Sequence, residues 1–251
     1  MTSILKTDEI QSQNGGSVVK MQTLKHPSAS GNNLELASDG STTITNGSLS
    51  AGSLGSSVTG NWGWKLLQTE TITSAVSNKD IGSSSLFSST YDTYKIIFHN
   101  LGVASDIGVN LQLSIDTGFV TSGSHYDYTA RAHRSDGGVN QGYNNASDAI
   151  DMVTQNVYGD NNQSGYNRAG MCGEITIPNP TETGIAKFIF GYASYMNSSA
   201  YTAISTFSGG FGRDGGSATH RKPITGVRFQ CGGGSVNLSR GTIRLYGVIN
   251  A

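Results

Sequence analysis

The sequence predicts an all-β protein: a two-sheet antiparallel sandwich of jelly-roll type, preceded by an extended, fibrous N-terminal segment. Three observations carry that expectation. In residues 107–115, Ile107, Val109, Leu111, Leu113 and Ile115 alternate with Gly108, Asn110, Gln112 and Ser114. Successive side chains on a strand point to opposite faces, so this segment reads as a strand with one apolar and one polar face. The composition agrees: 34 Gly, 4 Pro and 13% charged residues, with Ser, Thr and Asn where helical surfaces carry Lys and Glu. Finally, eight to ten strand-like runs separated by Gly, Asn and Ser follow one another after residue 61, the spacing of a sandwich.

Residues 1–61 contain no Trp, Tyr or Phe, and from Ser38 onward they are dominated by Ser, Thr and Gly. Such a segment cannot build a core alone. Short aliphatic groups nevertheless recur, at Ile4 and Leu5, Val18 and Val19, Leu34 and Leu36, then Ile44, Leu49, Leu54 and Val58. Turn sequences such as Asn14-Gly15-Gly16, Asp39-Gly40 and Asn46-Gly47 punctuate them. Sparse aliphatics between turns fit a fibrous shaft whose core is shared with other copies or with a partner. A flexible Gly/Ser linker is the competing reading of the same residues.

Aromatic residues begin at Asn61-Trp62-Gly63-Trp64, which places a domain boundary near residue 61 and a head domain over 62–251. The expected strands are 66–72, 91–101, 107–115, 126–133, 173–177, 185–193, 201–207, 224–231 and 242–249. Residues 83–88 and 148–155 read as single helical turns. Residues 135–169 lack periodicity and read as one long loop, the sort of segment that is either functional or disordered.

The formal net charge is −1 and the sequence pI is near 6.5. That balance gives no electrostatic footprint for a nucleic-acid backbone or an anionic membrane. The first ten residues do not look like a secretion signal, and no run approaches the ~18 apolar residues of a membrane span. Folding in a cytoplasm is the expectation, with Cys172 and Cys231 as free thiols.

Catalytic, cofactor and metal signatures are weak. Gly210-Phe-Gly-Arg-Asp-Gly215 spells GxGxxG, but Pro223 introduces another strand where a phosphate-binding helix would have to open, so it reads as a hairpin tip. His125, Asp127 and His133 share a strand, yet His133 lies about 20 Å beyond Asp127 at ~3.3 Å per residue, too far for one zinc ion. Residues 160–165 have the oxygen-rich look of a calcium loop, but Met171 stands where an EF-hand needs a bidentate Glu. No catalytic residue, cofactor or metal is therefore expected. Within residues 135–169, rings and amides cluster at Tyr143, Asn145, Tyr158, Asn162, Tyr166 and Arg168. Rigid amphipathic rings beside adaptable amides are the chemistry of recognition loops and also suit sugars, so these six are the candidate interaction residues.

Two ends of the chain resemble a known group. Thr2-Ser-Ile-Leu-Lys-Thr-Asp-Glu-Ile-Gln11 followed by Asn14-Gly-Gly-Ser17 is similar to the start of tail-fibre and other virion proteins of marine, cyanophage-like bacteriophages. Ile224-Thr-Gly-Val-Arg-Phe229 and Gly241-Thr-Ile-Arg-Leu-Tyr-Gly247 resemble the last strands of their C-terminal β domain, and Tyr91-Asp-Thr-Tyr-Lys-Ile-Ile97 resembles an early one. The resemblance implies a non-enzymatic virion component, usually a homotrimer, anchored to other tail or capsid proteins through residues 1–61. Its β-sandwich head would face the host surface, where a glycan is a possible receptor. A short tail fibre or spike is the first expectation; a capsid head fibre or decoration protein, and a stand-alone lectin-like module, are the alternatives.

Overall fold

The computed structural model describes residues 23–24, 34–36, 42–44, 63–115, 118–121, 125–162, 170–211 and 222–248. The chain divides into two units, Met1–Thr59 and Gly60–Ala251. In the first, β1 (Thr23–Leu24), β2 (Leu34–Leu36) and β3 (Thr42–Ile44) form an antiparallel sheet in that order. Its register sets Leu34 opposite both Leu24 and Ile44. The Val18–Val19 pair and Leu49, Leu54 and Val58 lie outside the described residues.

The second unit holds β4 (Trp64–Ile72), β5 (Asn78–Ile81), β6 (Thr93–Val103), β7 (Val109–Ile115) and β8 (Gly118–Phe119). After these come β9 (Tyr126–Arg134), β10 (Val139–Ser147), β11 (Ile150–Asp151) and β12 (Met171–Pro178). The chain closes with β13 (Lys187–Met196), β14 (Thr202–Phe211), β15 (Gly226–Cys231) and β16 (Leu238–Val248). One sheet runs β10-β9-β14-β13-β12-β6-β16-β4; the other runs β11-β7-β15-β5, with β8 paired to β7.

The pairings define a jelly roll. The first four strands, β4 to β7, each pair antiparallel with a later strand taken in reverse order: β4 with β16, β5 with β15, β6 with β12, β7 with β11. Folding that long ribbon over brings β16 beside β6 and β15 beside β7, which produces the two sheets. Two insertions elaborate the frame. The β9–β10 hairpin interrupts the ribbon between β7 and β11, and the β13–β14 hairpin follows β12. Both join the larger sheet beyond β12, extending it by four strands.

The core fills the space between the sheets. Tyr94, Ile96 and Phe98 on β6, Ile175 and Ile177 on β12, and Ile243 and Leu245 on β16 point inward from the larger sheet. They meet Val109, Leu111 and Leu113 of β7 and Val227 and Phe229 of β15. Tyr126 ties the layers with a polar bond inside the core: its hydroxyl accepts the Leu113 N–H at 2.8 Å and donates to Val120 O at 3.0 Å. Gly241 has φ +132, and a Cβ there would stand 2.8 Å from Leu101 Cα, so the register shift between β16 and its neighbour β6 demands glycine.

Three sequence expectations change in the structure. Residues 135–169 are not one long loop, because residues 139–147 form β10, paired along β9. Residues 148–155 are not a helical turn; they carry β11. The polar face of β7 is not fully wet, since Gln112 and Ser114 are buried beside Asp148 O and Thr225. By contrast, Leu86 and Phe87 both donate their N–H to Ser83 O, closing a single turn at 83–87.

The two cysteines are free, Cys172 exposed and Cys231 buried. Burial pushes the Cys231 thiol from 9.0 up to about 12. Folding thus favours its protonated form, so its contribution to stability is complete below 9.0 and is lost as pH rises toward 12. Thermal melts across that range should show a shallower alkaline loss for Cys231→Ala than for the native chain; equal slopes would remove the assignment. In the native protein a thiol reagent should titrate Cys172 alone.

Candidate functional site

The extended sheet presents an aromatic outer face. On β13 the phase that points inward is Lys187, Ile189, Ala193 and Tyr195, while Phe188, Phe190 and Tyr192 point to water. Phe188 is 60% exposed. The strands beside them carry small groups on this face: Phe190 pairs with Ser208, which pairs with Thr129, which pairs with Tyr143 on the edge strand β10. Two ridges with a low floor between them make a trough of about 460 Å³, walled by Phe188, Tyr143 and Asn145 and floored by Thr129, Ser208 and Gly210. Gly210 keeps the floor low beside Phe188, whose ring a Cβ there would just touch at 3.7 Å. Asp127 lines the same trough and offers it a carboxylate.

A second concavity lies on the outer face of the smaller sheet, about 720 Å³ in volume. Its floor is two cross-strand rows. Asn78, Gln230 and Asn110 form one; Arg228 and Gln112 form the other, whose row continues to Asp80 outside the lining. The segment carrying Asn144, Ser147 and Asp148 forms a wall, and Gln112 donates to Asp148 O at 3.1 Å. Arg228 forks onto Asp80 through two bonds of 2.7 and 2.9 Å, and the Phe119 ring lies 4.0 Å from its guanidinium carbon. The Asp80 carboxylate raises the Arg228 pKa further, so this charge is permanent and already neutralised. Asn144 lines both this cleft and the trough, and Tyr128 lines the trough. Tyr128 donates to Asp151 Oδ2 at 2.6 Å, and burial followed by that carboxylate holds its phenol well above the ordinary value.

The six candidate recognition residues do not form one cluster. Tyr143, 83% exposed, and Asn145 line the trough, though from a strand rather than a loop. Tyr158 lies at the other end of the sheet, where its N–H donates to Met196 O. Met196 lies six positions along β13 from Phe190, about 20 Å of strand. Asn162 closes the short 3-10 turn Asp160–Asn162. Tyr166 and Arg168 lie outside the described residues. Asp160, first of the oxygen-rich run, accepts from both Arg240 and Ser239, so a guanidinium occupies the carboxylate that a calcium site would need. Gly210 and Phe211 end β14, and the remainder of the GxGxxG run lies outside the described residues. Asp127 and His133 share a face of β9 six residues apart, and among the described residues no three His, Cys, Asp or Glu converge as a metal site.

Sequence reasoning missed the β13 aromatics and the amides of the smaller sheet. The signal for the former was present: residues 187–193 alternate, but both phases hold large apolar groups, and the bulkier one faces outward. No family model, curated protein or solved structure matches the chain.

Proposed function

We propose that this chain is a non-enzymatic structural component of a bacteriophage virion, a short tail fibre or spike working as a homotrimer. Its N-terminal unit attaches it to other virion proteins, and its jelly-roll head is presented to the host surface. The observation that carries the reading is the aromatic face of β13. Phe188, Phe190 and Tyr192, together with Ile204, Val139 and Tyr143 on the same sheet, leave a large apolar area in water. Patches of that kind mark association surfaces. The occupant is a second copy of the chain, because a net charge of −1 sets almost no repulsion between copies. The jelly-roll frame, used by capsid and lectin domains alike, and the similarity of both chain ends to phage virion proteins support the same reading.

Light scattering on the full chain tests it. The expected mass is three times the 26.3 kDa of one chain. A monodisperse monomer would sink the proposal and favour the second reading, a stand-alone carbohydrate-binding module, which the ring faces of Tyr143 and Phe188 beside Asp127 and Asn145 support.

A further inference from the structure

We propose that the trough on the larger sheet is filled, in the trimer, by Trp64 and Leu66 of the neighbouring copy. The inference rests on the trimer proposed above and names the second half of each contact within it.

Away from the axis of a three-fold ring a patch cannot meet its own equivalent, so each contact joins two different surfaces of the chain. The aromatic face around β13 is one such surface and needs a counterpart. The opposite edge of the same sheet supplies it: on β4, Trp64 is 45% exposed and Leu66 50%. Both stand on the outer face. Leu66 pairs with Tyr246, which alternates with the inward Leu245. The Trp64 ring lies under Lys95, which alternates with the inward Tyr94 and Ile96.

This ridge cannot serve the trough of its own chain. One cross-strand row runs from Tyr143 on β10 through Ser208, Phe190 and Lys95 to Leu66 on β4. Its eight strands leave seven spacings of ~4.8 Å, roughly 34 Å along the sheet. Between the two apolar patches the row carries Thr176 and Lys95, the latter ion-paired with Glu174. Ridge and trough are therefore separate surfaces, as a ring requires.

Their shapes correspond. Trp64 and Leu66 are one strand repeat apart, about 7 Å, and the Gly210 and Ser208 rows of the trough floor repeat at the same interval. The floor is low because it is built from Thr129, Ser208 and Gly210, and the trough's 460 Å³ is in the range that takes a small aromatic group. The Trp64 ring is also held before it meets a partner. It packs against Tyr246 with centroids 5.9 Å apart, and Lys95 Nζ sits 4.7 Å from its centroid. A ring already fixed loses little freedom on association, and Trp is the residue type most often at the energetic centre of an interface.

The test places the photoreactive residue p-benzoylphenylalanine at position 64 of the full-length chain and maps its cross-links by mass spectrometry after irradiation. Cross-links are expected on residues 127–129, 143–145 or 208–210, joining separate copies. Trp64→Ala should weaken the trimer at least about tenfold in a light-scattering dilution series. Ser208→Trp fills the floor from an exposed position and should leave a monomer with an unchanged far-UV circular dichroism spectrum. A native chain that is monomeric at every concentration overturns the trimer and this contact together. A native trimer whose cross-links fall outside the trough, or which survives both substitutions, overturns the contact alone. So does a trimer whose trough still binds a neutral oligosaccharide, with Tyr143→Ala abolishing that binding, because the trough would then be open in the assembly.

Discussion

Replacing Phe190 and Tyr192 together by arginine is expected to lower the solution mass of the full-length protein from three chains to one. Both side chains point outward from β13, so in an isolated head the arginines would extend into water and cost the fold little. Within a subunit interface the same change buries charges against an apolar partner, and each unpaired buried charge costs several kcal/mol. Repeated in three copies, that penalty exceeds what a typical association surface supplies. The far-UV circular dichroism spectrum should be unchanged. A variant that stays trimeric would show that the copies meet through another surface, and the aromatic face would lose its place in the proposal.

The second large effect concerns the joint between the sheets. Phe98 leaves the larger sheet on β6 and meets Phe229 of β15 in the smaller one, edge to face, with ring centroids 5.8 Å apart. Both are fully buried. Phe98 also packs where Gly173 of β12 has no side chain: a Cβ there would lie 2.5 Å from its ring. Phe98→Ala would therefore open a void that neighbouring backbone cannot fill. A loss of about 4 kcal/mol is expected for such a truncation, seen as a fall in melting temperature of about 10 °C for a domain of this size. A change of less than about 1 kcal/mol would mean that the layers are joined mainly elsewhere.

Several features of the fold were legible from residue pattern because they depend on local alternation. Strands β6, β7, β9, β15 and β16 each bury their apolar phase in the core, and that asymmetry is written in their side chains. Strand β10 was illegible for the complementary reason. It is the edge of the larger sheet, most of its side chains are exposed, and its order comes from backbone pairing with β9, to which side-chain pattern contributes little. The reading of residues 135–169 as one long loop failed at that point, and Tyr143 and Asn145 stand on this strand.

The sequence by itself determined the all-β class, the sandwich layering and the low charge, since period and composition express how each strand meets water. Only the tertiary structure decided which strands become neighbours: that β15 and β16 insert beside β5 and β4, and that two inserted hairpins widen one sheet. It also decided which face of β13 is wet and which amides of β5, β7 and β15 stand side by side. Such choices rest on long-range pairing between residues as much as 170 or more positions apart, as in Thr69 with Arg244. A local alternation describes one strand's two faces; it carries no label for the partner that will cover either of them.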